Sequence, residues 1–446
     1  MSRHPTSAFC VDVGSTFTKA ALVDLATGEV RGTGATPTTL DTDVLDGVAA
    51  LSARLEVPGS ATTMLCSSAG GGLRLAVVGY ERLVTAEAGF RVGLSAGAKV
   101  VHVAAGELTT AQLAELAASR PDIVLLVGGT DGGNATVLLH NARALAGARL
   151  GIPVVLAGNA RAASRARSVL AAGKVPVTVT DNVLPQIGVI HPEPARAAIR
   201  EVFLRHVIGG KGLSRGTRFA RLVRAATPDA MLTGIEVLAA ELAADVLVVD
   251  VGGATTDVYS CLEPQGEEAE LRKDVVATIW HARTVEADLG MRWNAENVVE
   301  AAQREALPVA EPLQQWARQV HEEPGRLPER AEEAALDRDL ATIAALVAVR
   351  RHARPAAPGE NGRPLAELRW VIGSGGVLRH AQPQAASAVL DAVVTDYAGG
   401  WRTPSAATTV VDRRYLLFAV GLLAGEGYAD TAAALARQVA SAPPAP

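Results

Sequence analysis

Two short segments, one in each half of the chain, constrain the fold more than any other feature. Residues 248–258 read VVDVGGATTDV, and residues 10–20 read CVDVGSTFTKA. In both, an apolar strand runs into an aspartate, a glycine and small hydroxyl residues. Glycine lets backbone N–H groups approach a ligand closely and hydroxyls add donors, so such a turn at a strand end suits phosphate oxygens. The pair predicts two related lobes that hold one phosphate-bearing ligand between them.

Composition narrows the class of protein. The chain has 446 residues, 49% of them hydrophobic, which is enough for two or three domains with their own cores. Its net charge of −5 and dispersed Lys and Arg argue against the basic stripe that a phosphate backbone requires, so we expect no nucleic-acid partner. Three widely separated cysteines without a CxxC pair indicate a reducing, cytoplasmic setting. We expect no membrane association, because no apolar run approaches the ~18 residues of a span.

The pattern of apolar residues divides the chain into three parts. Residues 1–90 open as a β-meander and predict the N-terminal part of a first lobe. Residues 91–200 alternate apolar strands with amphipathic helices, which is typical of a parallel sheet covered on both faces; we expect this section to be inserted in the first lobe or to complete it. Residues 201–446 predict a second lobe. Within it, the charged stretch 311–362 is interpreted as a solvated helical hairpin followed by a linker.

Three motifs resemble those of a known superfamily. DVGSTFTK (12–19) resembles the first phosphate motif of the actin, heat-shock-protein and sugar-kinase ATPases, DVGGATTDV (250–258) resembles the second, and VIGSGGV (371–377) resembles the adenosine motif. They also follow the superfamily's order. The resemblance implies an α/β fold with two actin-like lobes of the ribonuclease H-like type, and it implies ATP and Mg²⁺ as cofactors.

The same resemblance implies a role for individual residues. Asp12 and Asp250 are the implied catalytic and metal-binding carboxylates, with Asp12 near Mg²⁺ and Asp250 organising Mg²⁺ or the hydrolytic water. Lys19 would place a positive charge close to the phosphates. Ala254 stands where the superfamily often has glycine, and we expect its Cβ to restrict the turn and slow turnover. The remaining implied ligand contacts are Gly14, Ser15 and Thr16 in the first turn, Gly252, Gly253, Ala254 and Thr255 in the second, and Gly373, Ser374, Gly375 and Gly376 beneath the adenosine.

A closer resemblance extends over nearly the whole chain. CSSAGGGLRLAVVG, PDIVLLVGGTDGGNATVLLHNARALA and TDNVLPQIGV, together with the two phosphate turns, resemble the MutL-type accessory proteins of glutamate (methylaspartate) mutase. The resemblance implies a slow Mg²⁺-dependent ATPase whose partner is an adenosylcobalamin-dependent mutase and which releases damaged cofactor, like the diol-dehydratase reactivases. No histidine stands in Asp-x-His-x-x-Gly, the signature of base-off cobalamin binding, so we do not expect the cobalamin subunit itself.

The sequence leaves alternatives open for the function and for the loop at residues 128–134. The superfamily also contains small-molecule kinases and ATP-dependent amidohydrolases of the hydantoinase/oxoprolinase type, and the chain could belong to either class. A further alternative is a scaffold that binds nucleotide without turnover. The loop GGTDGGN (128–134) either completes the nucleotide cleft, contacts the partner, or is a tight turn before a helix capped by Asn134. Its Asp131 is a conceivable base for the substrate hydroxyl in a kinase.

Overall fold

The computed structural model describes residues 5–69, 73–81, 89, 92–93, 98–187, 189–208, 212–262, 281–355, 362–396 and 403–441. Within them the chain forms three five-stranded sheets. The glycines at 70–72 of CSSAGGG and residues 356–361 of the predicted linker lie outside the described residues. None of the helices described is both long and apolar enough to span a bilayer.

The first sheet begins as the predicted meander. Its opening elements are β1 (Ser7–Val13), β2 (Phe17–Asp24), β3 (Val30–Pro37), α1 (Val44–Arg54) and β4 (Thr62–Ser67). β1 is buried along its whole length because β2 pairs with it on one side and β4 on the other. Helix α1 begins at Asp43, whose carboxylate accepts the N–H of Leu45 at 2.8 Å.

A parallel sheet follows β4. Its elements are β5 (Arg74–Gly79), β6 (Lys99–Ala105), α2 (Thr110–Ala118), β7 (Ile123–Leu126), α3 (Thr136–Ala148), β8 (Val154–Leu156), α4 (Ala160–Ala172), β9 (Val177–Val179) and α5 (Glu193–Val202), with a π-helical extension at Phe203–Ile208. The strand order β6-β5-β7-β8-β9 is that of flavodoxin-like doubly wound sheets. The predicted parallel α/β section is therefore confirmed, but its first strand starts at residue 74 and not after 91.

The chain then returns to the first sheet. After α6 (Arg218–Leu222), strand β10 (Val223–Ala226) pairs in parallel with β4, and α7 (Thr227–Leu242) follows. The first sheet has the order β10-β4-β1-β2-β3, so the parallel section is an insertion between two neighbouring strands. The predicted division at 200/201 consequently falls inside the first lobe. β10 has only four residues, VRAA, and is too short to show a strand period.

The second lobe repeats the first sheet's topology. Its elements are β11 (Val246–Val251), β12 (Thr256–Cys261), β13 (His281–Glu286), α8 (Ala295–Arg304), α9 (Glu311–Glu322), α10 (Ala331–Ala353), β14 (Trp370–Ser374), α11 (Gly376–His380), α12 (Pro383–Val394), β15 (Thr408–Val411), α13 (Leu417–Gly425) and α14 (Ala429–Ala440). The order β13-β12-β11-β14-β15 matches that of the first sheet strand for strand. The fold is thus the predicted two-lobed actin-like α/β fold.

The charged stretch after residue 311 is not a solvated hairpin, and that prediction is wrong. Helix α10 packs on β11, β12 and β13 and buries residues on several sides, including Leu340 and Val347. Its charges are neutralised in place: Arg350, 1% exposed, donates to both carboxylate oxygens of Asp396 at 2.7 Å. Buried ion pairs of this kind make a core helix look like a surface helix in the sequence.

The two lobes meet where α7 crosses α13. Each helix follows the last strand of its sheet, and the backbones touch through Gly234 and Gly421. A Cβ placed on Gly234 would lie 2.0 Å from the carbonyl oxygen of Leu417, and one on Gly421 would lie 1.8 Å from that of Ala230. No side chain fits between the helices at this point, so the crossing requires both glycines.

We expect Gly421→Ala to lower the free energy of unfolding by at least about 2 kcal/mol, because the added methyl group forces the two backbones apart. Gly147→Ala is the matched control: Gly147 lies in helix α3 with no heavy atom near its Cβ position. This control should be neutral or stabilise by up to about 1 kcal/mol. Denaturant unfolding measures both, and equal stabilities would contradict the close crossing.

Candidate functional site

The two turns singled out in the sequence have the same geometry. The N–H of Gly14 donates to the carbonyl of Phe17 at 3.1 Å, and the N–H of Gly252 donates to that of Thr255 at 2.9 Å. A Cβ on Gly14 would lie 2.7 Å from the Phe17 oxygen, and one on Gly252 would lie 2.8 Å from the Thr255 oxygen. Only glycine permits so tight a turn, which explains its place in both motifs.

In the first turn, the carbonyls are held and N–H groups remain available. Thr38 donates its N–H to the carbonyl of Thr16 at 2.9 Å and its hydroxyl to that of Gly14 at 2.8 Å. Within the described part of the chain, the N–H groups of Ser15 and Thr16 donate to no protein acceptor. Adjacent free N–H groups form an anion-binding concavity.

The second turn is held in the same way by another segment. Met291 donates its N–H to the carbonyl of Gly252 at 3.0 Å, and Arg292 donates to that of Gly253 at 2.9 Å. Among the residues described, the N–H groups of Gly253 and Ala254 likewise have no protein acceptor. A Cβ on Gly253 would lie 3.9 Å from the hydroxyl of Thr16, so the two turns face each other across the lobes.

Asp12 is a buried carboxylate with four donors. Its Oδ1 accepts the hydroxyl of Thr227 at 2.5 Å and the thiol of Cys66 at 3.6 Å; its Oδ2 accepts the hydroxyl of Tyr415 at 3.1 Å and lies 3.4 Å from Nζ of Lys19. Burial, with Asp12 nearby, raises the pKa of the Cys66 thiol and the pKa of the Tyr415 hydroxyl, which keeps both groups protonated as donors. Metal coordination by Asp12 stays a prediction, and it would compete with these bonds.

Lys19 is oriented at the mouth of the site. It stands opposite Asp12 in the β1–β2 register, and its ammonium lies 4.1 Å from the centroid of the Tyr415 ring. Its side chain keeps 24% exposure. The Asp12 carboxylate and the face of the Tyr415 ring hold the Lys19 ammonium in place and leave it partly exposed in the cleft.

Asp250 occupies in the second sheet the position of Asp12 in the first. Its register partners are Asp257 on β12 and Ser374 on β14. Burial raises the pKa of Asp250 to about 6, since Lys19 offsets only part of the cost and Asp257 adds repulsion. The carboxylate is therefore close to half-protonated at pH 6 and ionised at pH 7 and above.

The oxygens around Asp250 fit Mg²⁺. Oδ1 of Asp257 is buried and has no hydrogen-bond partner among the described residues, and Oγ of Ser374 is buried beside the Asp250 carboxylate. Those residues contain no cluster of three or more His, Cys, Asp or Glu with metal-binding geometry. This donor set suits a hard cation that takes one or two carboxylates and completes its shell with phosphate oxygens and water.

The third motif lies beside the second turn because β14 pairs with β11. Gly375 has a φ of +96°, and a Cβ there would lie 2.0 Å from the carbonyl of Val251. A Cβ on Gly373 would lie 2.9 Å from Leu378, whereas Gly376 is exposed with open space around it. Contact of Gly373, Ser374, Gly375 and Gly376 with adenosine stays a prediction.

Ala254 adopts an ordinary backbone conformation. It is not among the described residues with positive φ, so its Cβ causes no strain in the turn. Its carbonyl accepts the side-chain amide of Asn294 at 2.8 Å. The geometry gives no support to the expectation that this alanine slows turnover.

Residues 287–294 were missed as part of the site. A Cβ on Gly290 would lie 2.3 Å from the carbonyl of Ala254, and Asn294 bridges Ala254 and the carbonyl of Ala287 at 2.9 Å. The only sequence signal was the short motif DLG at 288–290, which has no strand pattern of its own. Neighbouring Asp288 and Glu286 both accept from Arg351, which accounts for these two acids structurally.

The loop 128–134 is held by hydrogen bonds at the carboxyl ends of the inserted strands. Oδ1 of Asp131 accepts from the side chain of Asn182 and from the N–H of Ala160, both at 2.9 Å. Asn159 donates to the carbonyl of Gly133 at 2.9 Å. Asp131 is thus engaged in joining three loops, which disfavours its assignment as a kinase base.

Comparison with known proteins finds one family over nearly the full chain. A model of the MutL protein family matches residues 8–439. Protein MutL of Clostridium tetanomorphum is 32% identical over an alignment of 440 positions, which covers 93% of this chain and 95% of that protein.

Solved structures resemble the chain more distantly. Nucleotide-free acetone carboxylase is 14% identical with a TM-score of 0.40, over 94% of this chain and 70% of its own. Component A of the (R)-2-hydroxyglutaryl-CoA dehydratase of Acidaminococcus fermentans is 10% identical with a TM-score of 0.31. The match covers 96% of this chain and 99% of that protein. The fold assignment therefore depends on the strand orders and paired turns within this chain.

We expect Asp250→Asn to change how stability depends on pH. The folded protein holds the Asp250 proton up to about pH 6, whereas the unfolded chain releases it near the ordinary value of 3.8, so rising pH in this range destabilises the wild type. Above pH 7 the variant should be more stable by about 1–2 kcal/mol, and near pH 4 the two should be equal. Urea unfolding between pH 4 and pH 8 measures this difference, with Asp391→Asn, a substitution of an exposed aspartate, as the control. A stability difference between wild type and D250N that does not change with pH would contradict the raised pKa of Asp250.

Proposed function

The chain belongs to the MutL protein family, and from that premise we propose that it is an ATP-dependent accessory factor that reactivates an adenosylcobalamin-dependent mutase. The mutase we propose first is glutamate (methylaspartate) mutase. The observation that carries the proposal is the pair of matching turns, one on each lobe, with free N–H groups facing a common space beside Lys19 and Asp250.

The roles of the residues follow from their chemistry. The N–H groups of Ser15 and Thr16 on one side and of Gly253 and Ala254 on the other would bind the β- and γ-phosphates. Lys19 would balance their charge. Bound Mg²⁺ would supply charge neutralisation on the phosphates, with the Asp250 carboxylate, Oδ1 of Asp257 and Oγ of Ser374 as its oxygen donors in this chain.

Asp250 would also orient the attacking water. Its carboxylate would accept a hydrogen bond from that water. The expected reaction is slow hydrolysis, and the product phosphate leaves a site whose two halves belong to different lobes. Binding and loss of the γ-phosphate then favour different angles between the lobes, which is how hydrolysis would perform work on a partner.

The proposed work is to open a closed enzyme. A radical mutase that has lost the adenosyl group retains an inactive cobalamin in a site shielded from solvent. Nucleotide-driven rotation of the lobes, transmitted to the mutase subunits, would release that cofactor and allow intact adenosylcobalamin to enter.

The reactivation assay tests this proposal. Mutase inactivated during turnover is mixed with this protein, Mg²⁺-ATP and fresh adenosylcobalamin, and we expect most of the lost activity to return. Omitting ATP, replacing it with a non-hydrolysable analogue, or using Asp250→Asn should each prevent recovery. No recovery with the complete mixture and the cognate mutase would refute the reactivase function.

ATP hydrolysis by the isolated protein is a separate prediction. We expect a slow Mg²⁺-dependent rate that needs no acceptor substrate and falls by about 100-fold or more in Asp250→Asn. Phosphate release measures it, with Asp391→Asn as the control. A strict need for an added hydroxyl or amide substrate would instead favour a kinase or an amidohydrolase.

A further inference from the structure

An ion pair links the second turn to the helical segment after β13. Arg292 donates from Nη1 to Oδ1 of Asp337 at 2.9 Å and from Nη2 to Oδ2 at 3.0 Å. This two-point arrangement fixes the direction of the guanidinium as well as its distance. Both side chains are largely buried, with 11% and 6% exposure.

Arg292 holds the turn with its backbone. Its own N–H and that of Trp293 both donate to the carbonyl of Gly253, at 2.9 and 3.0 Å. The same residue therefore has its main chain on the turn and its side chain on α10. The ion pair thereby connects the segment that holds Gly253 to helix α10.

Asp337 is in turn fixed by α9. The indole N–H of Trp316 donates to Oδ1 of Asp337 at 3.1 Å, in a buried contact. Nε of Arg292 donates to the carbonyl of Arg326 at 3.1 Å, and the guanidinium of Arg326 lies 5.4 Å from the centroid of the Trp316 ring. Helix α10 and the segment between α9 and α10 thus contact the guanidinium of Arg292 directly, and α9 supports both through Trp316.

We propose that Arg292 and Asp337 are positioning residues for the second phosphate turn, so that α9 and α10 set the geometry in which the turn receives the γ-phosphate. This inference rests on the proposed nucleotide site. The ion pair acts through the backbone of Gly253, and the adenosine side of the cleft, on β14 and the loop after it, does not depend on it.

The test compares Asp337→Asn with Asp339→Asn. Asp339 is two residues further along the same helix, is about half exposed and pairs with its neighbour Arg338. The asparagine at 337 keeps the shape and an oxygen for Trp316 but loses the charged two-point pairing. We expect kcat for ATP hydrolysis to fall about 10- to 100-fold, as expected for small displacements of a catalytic group. AMP affinity should change less than threefold, and Asp339→Asn should match the wild type.

A double-mutant cycle separates positioning from a general loss of structure. Arg292→Gln should reproduce the loss of kcat, and the double variant should be no worse than either single variant within about threefold, because all three break one interaction. Multiplied defects would overturn the inference, as would an unchanged kcat in Asp337→Asn with only a lower melting temperature. A wild type that does not hydrolyse Mg²⁺-ATP would refute the proposed ATPase function, whereas an active wild type with an unaffected D337N would refute only the ion pair's role.

Discussion

The carboxylate of Asp12 connects more of the molecule than any other described polar group of the site. It accepts from Thr227 at the start of α7, from Tyr415 just before α13, and from the neighbouring strands through Lys19 and Cys66. The Asp12 carboxylate is 1% exposed, so it depends on these donors in place of water. Removing one partner of a buried pair typically costs about 3–5 kcal/mol. The position of the first turn, the orientation of Lys19 and the approach of the two crossing helices therefore depend on one another.

The crossing of α7 and α13 complements this polar contact. The two backbones touch at Gly234 and Gly421, so the lobes have a fixed point of contact with no side chains in between. In the proposed function, rotation of the lobes about this contact would change the distance between the two turns. Asp12 lies between this contact and the turns, where a small rotation of either helix alters its hydrogen bonds.

The geometry of the two turns could be predicted because their motifs are local. The turns at Gly14 and Gly252 depend on residues adjacent in sequence, and the repeat in the two halves of the chain indicated the paired lobes. The missing parts depend on tertiary contacts. Strand β10 is too short to show a period, the charges of α10 are buried by partners such as Arg292, and Gly290 matters only because Ala254 lies against it.

The repeated topology does not make the two halves of the site equivalent. Opposite Asp12 in the strand register stands Lys19, whereas opposite Asp250 stands Asp257. One lobe therefore places a lysine beside its aspartate, whereas the other places there a second aspartate, whose Oδ2 is paired with Arg283 at 3.1 Å. The two turns therefore have different charged neighbours, although the strands that carry them follow the same order.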